Sequence, residues 1–147
     1  MEEIRKKIVI VDDDASSLSI VRNLLKNHHE VYPAPSAIKL FTILGSFIPD
    51  LVLLDVEMPG MSGYEALKVM KENPRFKNIP IIFLTARDDE ASEMEGMDLG
   101  ASDYVTKPFT GQLLLQRINN LLMIEQLKAE LQESRAALDE LRRQTGN

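Results

Sequence analysis

The chain reads as an α/β protein, a doubly wound sheet of five parallel strands with an extended C-terminal helix, on three observations. Short β-branched and aliphatic runs alternate five times with segments of helical periodicity. The runs KIVIV, LVLL and IIFL are apolar on both faces, as parallel strands covered by helices on each side require. Polar residues of a few chemical types then stand where strands end: Asp12 and Asp13, Asp55, Thr85 and Lys107.

Each element follows from local chemistry. Lys7 to Val11 is the first strand and stops at Asp12, Asp13 and Asp14, the last of which suits a helix N-terminus. From Ala15, Leu18, Val21, Leu24 and Leu25 recur at helical spacing until Asn27, His28 and His29, read as an exposed turn with both histidines on the surface. Glu30 to Ala34 makes a short edge strand that tolerates Pro33. Ser36 caps a second helix carrying Ile38, Phe41 and Leu44. Leu51 to Leu54 is the third strand, and the turn-rich loop EMPGMSG leads into a helix from about Tyr64 to Asn73. Pro80 opens the fourth strand and Thr85 ends it, before a less apolar, weakly anchored helix that Gly100 caps. Asp103 to Val105 form the last strand, and Thr110 caps the final helix.

Composition narrows the function. At 147 residues the chain has room for one domain and an appendage, and the character of the text changes near Asn120, where a charged helical segment begins. This predicts a domain over residues 1–122 and a helical extension over residues 123–147. No apolar run reaches the ~20 residues of a membrane span, and MEEIRKK lacks the pattern of a signal peptide, which predicts a cytoplasmic protein. With no cysteine, oxygen ligands are the plentiful metal chemistry, favouring magnesium, calcium or manganese. A net charge of −6 without a basic, aromatic-laced patch argues against direct nucleic-acid binding.

Ligand sites of open parallel sheets form outside the carboxyl ends of the strands, so the polar strand ends should converge on one crevice. A carboxylate there can accept a phosphoryl group if the repulsion between the two anions is cancelled, and Mg²⁺ is the natural remedy. In this scheme Asp13 and Asp55 are direct ligands, Asp12 holds a coordinated water, and the backbone carbonyl of Glu57 supplies a neutral oxygen. Asp55 is the phosphoryl acceptor, while Lys107 and Thr85 contact the phosphoryl oxygens. Glu57 and Arg87, each two residues beyond a site residue, would flank the mouth as an ion pair that slows attack by water.

VDDD at 11–14, LLDVEMPGMSG at 53–63, FLTA at 83–86 and GASDYVTKPF at 100–109, in this order, closely resemble the receiver domain of two-component response regulators over roughly Lys6 to Leu122. The resemblance implies a flavodoxin-like (βα)5 fold and transfer of phosphate from a histidine kinase or phosphotransfer protein to Asp55. It implies Asp12 and Asp13 in Mg²⁺ binding, Thr85 and Lys107 on the phosphoryl group, and a cis Lys107-Pro108 bond. The output would be a changed face around helix four, strand five and helix five. Tyr104 is the aromatic that reorients in the family; from its residue type alone, a half-buried core tyrosine serves equally well.

The tail offers a heptad seam, with Ile124, Leu131 and Leu138 at one position and Leu127, Ser134 and Leu141 at the other. Glu130 and Arg135 then attract each other across a parallel pair, which favours a homodimer over a solvated helix. The ending Thr145-Gly146-Asn147 suggests a connector cut from a longer chain, with an intact, self-sufficient protein as the alternative. Two rival functions are a phosphorylation-independent helical scaffold and a phosphohydrolase of the haloacid dehalogenase type. The latter needs its nucleophile on the first strand with a second Asp two residues on; here the acceptor follows the third strand and its second neighbour is Glu57. The chain therefore reads as a switch that turns over no external substrate, performing only its own phosphotransfer and dephosphorylation.

Overall fold

A computed structural model describes residues 5–146. The outer limits of the two expected segments, and the first residues of the MEEIRKK segment, lie outside the described residues. The strands are β1 (Lys7–Val11), β2 (Glu30–Ala34), β3 (Leu51–Leu54), β4 (Ile81–Thr85) and β5 (Asp103–Thr106). They alternate with α1 (Ala15–Leu25), α2 (Ala37–Leu44), α3 (Gly63–Glu72), α4 (Glu90–Asp98) and α5 (Gly111–Gln144). All neighbouring strands pair in parallel, in the order β2-β1-β3-β4-β5.

Alternation along the strands sorts the core into two layers. Val9, Val11, Val52, Leu54, Ile81 and Phe83 face one way, onto Leu40 and Leu44 of α2 and Leu67 and Met70 of α3. Ile8, Ile10, Leu51, Leu53, Ile82 and Leu84 face the other, onto Val21 and Leu25 of α1 and Leu114 and Ile118 of α5. Strands that must serve both layers have no polar face, which is why their sequences are continuously apolar. Each fully buried aliphatic side chain contributes roughly 1.5–3 kcal/mol relative to exposure. In α5 that anchoring ends at Leu121 and Leu122; from Met123 onward every large apolar side chain is exposed.

Helix starts follow side-chain chemistry. Asp14, Ser36, Ser62, Asp89 and Thr110 each accept a backbone N–H of the first helical turn, and Ser62 with Glu65 forms a capping box. Two details of the sequence reading change. α2 buries Ala37, Leu40 and Leu44 and leaves Ile38 79% exposed, because the helix turns its i, i+3, i+7 face inward from Ala37. α4 is capped at Leu99, and Gly100 follows with φ +105°.

His29 requires a larger correction. It is not a surface residue but 1% exposed: Nδ1 accepts the Lys6 N–H at 3.1 Å, while Nε2 lies 3.2 Å from Asn119 Oδ1. An Nδ1 that accepts leaves Nε2 as the protonated nitrogen, able to donate to that amide oxygen. The ring ties the start of β1 to α5, at the end of the sheet opposite the polar strand ends. His28 beside it is half-buried.

The sheet order places a reversal between β1 and β3, because the chain leaves β1 outward to β2 and returns on β1's other side. Such a switch point opens a crevice at the carboxyl ends. The loop after β3 closes tightly there: Gly63 N–H donates to Val56 O at 2.8 Å, and a Cβ at Gly63 would lie 2.1 Å from the Asp55 carbonyl oxygen. No helix among the described residues is long and apolar enough to cross a membrane. Gly63→Ala is expected to cost about 3 kcal/mol through this clash, read by urea unfolding; an unchanged midpoint would contradict the packing.

Candidate functional site

Backbone pairing fixes the distance between the first two site segments. Asp55 N–H donates to Val11 O at 2.9 Å and Asp12 N–H to Ala34 O at 3.1 Å, so the residues that end β1 and β3 emerge side by side. Carboxylate oxygens of Asp12, Asp13 and Asp55 all lie within 4.8 Å of one another. Asp12 and Asp55 are buried and Asp13 is exposed, giving the cluster two walls and one solvent-facing group.

Lys107 enters from the loop after β5, whose Lys107-Pro108 bond is cis. Its Nζ lies 2.7 Å from Asp12 Oδ2 and 3.9 Å from Asp55 Oδ2. The second Asp12 oxygen accepts the Asp14 N–H at 3.0 Å, so Asp12 is held on both sides. Thr85 is 1% exposed at the end of β4, and its Oγ1 accepts the Arg87 N–H at 3.3 Å. Strand ends thus bring Asp12, Asp13, Asp55 and Lys107 together, with Thr85 on the adjoining strand.

One cation beside three carboxylates leaves a surplus of negative charge. Burial, first, pushes the Asp55 carboxyl up to about 6, and the Asp12 charge adds to the rise; Lys107 and the Thr85 hydroxyl oppose it. A hard divalent cation suits this donor set, because it would relieve the surplus using only oxygen ligands.

Glu57 and Arg87, two residues beyond Asp55 and Thr85, pair at the carboxyl end of the sheet, Oε1 to Nε at 2.6 Å, with both side chains exposed. They line a cavity of about 460 Å³ together with Val56, Met58, Pro59, Ser62 and Tyr64. Arg87 touches three neighbours through different groups: its N–H reaches Thr85, its guanidinium Glu57, and its carbonyl accepts the Tyr104 hydroxyl at 3.0 Å. Tyr104 is buried, and burial together with nearby Tyr64 raises its phenol pKa, so the hydroxyl remains a donor at neutral pH.

The sequence reading did not single out Tyr64. Its hydroxyl donates to Ser92 O at 2.6 Å, and its ring stands edge-on to Phe83, which in turn packs near Tyr104. Gly96 of α4 fits against this aromatic row, since a Cβ there would come 3.0 Å from Phe83 and 3.1 Å from Tyr104. α4 buries only Ser92 and Gly96, and Asp89 holds Ser92 through bonds to its N–H and hydroxyl, which lower the Asp89 pKa. The missing signal was tertiary: nothing local distinguishes Tyr64 from any apolar helix-start residue.

The family model "Response regulator receiver domain" matches residues 8–119. A protein of Vibrio cholerae named "Probable cyclic di-GMP phosphodiesterase" is 39% identical over 82% of this chain and 27% of its own length. "Response regulator PleD" of Caulobacter vibrioides is 30% identical over 89% of this chain and 29% of its own. The chain therefore spans under a third of the length of these relatives. Among solved structures, the "BeF3 Activated DrrB Receiver Domain" is 33% identical with a TM-score of 0.74, covering 82% of this chain and 99% of that one; DrrB is a Thermotoga maritima response regulator.

The raised Asp55 pKa links proton binding to folding. The folded chain holds this proton more tightly than the unfolded chain, whose carboxyl titrates near 3.8. Its stabilising effect is complete below that value and disappears as pH rises through about 6. With divalent cations chelated, Asp55→Asn should stabilise the protein at pH 7 by on the order of 2 kcal/mol and flatten the fall in stability between pH 4 and 6. Urea unfolding across that range measures both; identical pH profiles would contradict the electrostatic account.

Proposed function

The chain belongs to the response regulator receiver domain family, and from that premise we propose that it is a phosphorylation-dependent signalling switch with Asp55 as its phosphoryl acceptor. The observation that carries this reading is the approach of Asp12, Asp13, Asp55 and Lys107 at the switch point of the sheet. The upstream donor on this reading is a histidine kinase or phosphotransfer protein, and the setting is the cytoplasm. The downstream partner is an output module or a second copy of the chain, rather than nucleic acid or membrane directly.

In the proposed step an Asp55 carboxylate oxygen attacks phosphorus, the bond to the donor histidine nitrogen breaks, and the electron pair leaves with that imidazole. Asp12, Asp13 and Asp55, with the Glu57 backbone carbonyl, would hold Mg²⁺, which supplies charge neutralisation when bound. Lys107 stabilises the added phosphoryl oxygens as a point charge, and its attachment to Asp12 keeps it within reach beforehand. Thr85 donates its hydroxyl to the same group. No separate base is needed, because the acceptor is a carboxylate.

Contacts made only in the phosphorylated state bias the conformation. A charge-assisted hydrogen bond contributes roughly 1.5–3 kcal/mol, and inverting a 1:99 population takes about 5.5 kcal/mol. Thr85 and Lys107 together reach that scale. Movement of Thr85 toward the phosphoryl group would disturb its bond from Arg87 N–H and, through the Arg87 carbonyl, the seat of Tyr104. The thinly anchored α4 then adjusts with β5 and α5, presenting a changed face. The receiver itself turns over no external substrate, and any catalytic output belongs to whatever module it controls.

Glu57 and Arg87 act on this reading as a latch that limits access of water to the phosphoaspartate. Incubation with a small phosphodonor and Mg²⁺ should add one phosphoryl group to wild type and none to Asp55→Asn, read by intact mass and peptide mapping. Modification elsewhere, or none, would defeat the assignment. Glu57→Ala, Arg87→Ala and the double variant should each shorten the phosphoaspartate lifetime by roughly two- to fivefold, as removal of an exposed ion pair predicts, without additivity. Equal lifetimes in all four proteins would eliminate the latch.

A further inference from the structure

We propose that α5 beyond Leu122 pairs with the same segment of a second copy of this chain as a parallel, in-register coiled coil. The surface involved lies outside the phosphoryl site and does not depend on the chemistry there. α5 is one unbroken helix from Gly111 to Gln144, so it extends roughly 30 Å past its last buried residue. Along that length Ile124, Leu127, Leu131, Leu138 and Leu141 each remain about half exposed, at alternating intervals of three and four residues apart from the step occupied by Ser134. They form one stripe, which is the geometry of an a/d seam.

The receiver body does not cover this stripe. Hollows at the base of the body are bounded on the α5 side by Leu122, Glu125, Gln126, Lys128, Ala129 and Gln132. Those residues occupy b, c, e and f positions when Ile124 is a, and none of them is an a or d residue. Among the described residues nothing covers the seam, and a second copy of the chain presents the same stripe.

Charge along the two edges selects which one and how it lies. The e positions are Lys128, Arg135 and Arg142, all basic, whereas the g positions are Glu130, Ala137 and Gln144. Antiparallel pairing sets e against e and would align like charges along the seam. Parallel pairing sets g against the following e of the partner, matching Glu130 with Arg135. The same arrangement places Ser134 opposite Ser134 and Leu141 opposite Leu141. A small polar layer at the centre makes the association moderate and concentration-dependent.

The full chain tests this by sedimentation equilibrium over a wide concentration range, with and without phosphodonor. A monomer–dimer equilibrium is expected. Leu131→Glu with Leu138→Glu should weaken it at least roughly tenfold, and Ser134→Leu should tighten it by a similar factor. Glu130→Arg should weaken the dimer, and adding Arg135→Glu to that variant should restore it. Because the chain has no cysteine, Leu141→Cys should form a single disulfide-linked dimer on mild oxidation, a product that antiparallel helices cannot give. Helix content and phosphoryl acceptance at Asp55 serve as folding controls, so loss of pairing is separable from failure of the switch. A chain monomeric at all concentrations, a dimer indifferent to the Leu131 and Leu138 changes, or a Leu141→Cys dimer that does not cross-link would overturn the proposal.

Discussion

The functional end of this molecule depends on an electrostatic imbalance that the sheet imposes. β1 and β3 are hydrogen-bonded neighbours, so Asp12 and Asp55 emerge beside each other whether or not their charges favour it. Lys107 offsets part of the repulsion from 2.7 Å at Asp12, yet Asp55 remains a carboxyl whose pKa is raised by burial. Protein folding tolerates such a site because the hydrophobic layers on either side of the sheet are extensive. The resulting carboxylate is poised to gain from any ligand that brings positive charge to it. On the proposed reading, stability given up at a strand end becomes affinity for a cation and sensitivity to a phosphoryl group on Asp55.

On the same reading, Arg87 is the route by which a change at Asp55 would leave the crevice. Its backbone spans two hydrogen bonds, one from its N–H to the Thr85 hydroxyl and one from the Tyr104 hydroxyl to its carbonyl. A peptide segment cannot shift one end freely while the other stays fixed. Tyr104 is also packed near Phe83, and Phe83 against Tyr64, whose hydroxyl is held by the Ser92 carbonyl of α4. The row of rings rests on Gly96, where the lack of a side chain lets α4 lie close. With only Ser92 and Gly96 buried, α4 has the least apolar attachment of the helices around the sheet, so it is where a small displacement meets least resistance.

Most of the architecture was legible because strands buried on both faces and helix caps leave local signatures. KIVIV, LVLL and IIFL could hardly be anything but central strands, and Ser36 and Thr110 marked helix starts through hydrogen bonds reaching only three residues. The acidic crevice was legible for a related reason: strand ends place residues predictably, so sequence position translated into proximity for Asp12, Asp13 and Asp55. His29 was not legible. A polar turn looks exposed until α5, distant in sequence, lays Asn119 against it. Ile38 failed in the opposite sense, since apolar character alone does not say which side of a short helix faces the sheet. Tyr64 escaped notice because its partners, Phe83 and Ser92, are brought to it only by the tertiary fold.

α5 joins these two kinds of information in a single element. Its first three turns are held by Leu114, Ile118, Leu121 and Leu122 against the same layer that receives β1 and β3. Arg117 on this segment pairs with Asp103 of β5 at 3.1 Å, the residue that precedes Tyr104 on the same strand. A helix without a break transmits rotation and tilt along its axis, because its backbone hydrogen bonds resist local bending. Small changes in how the buried turns seat on the sheet are therefore expressed as larger displacements roughly 30 Å away, at the exposed end of the lever. The continuity of this helix makes the apolar anchoring of its first turns inseparable from the orientation of its last ones.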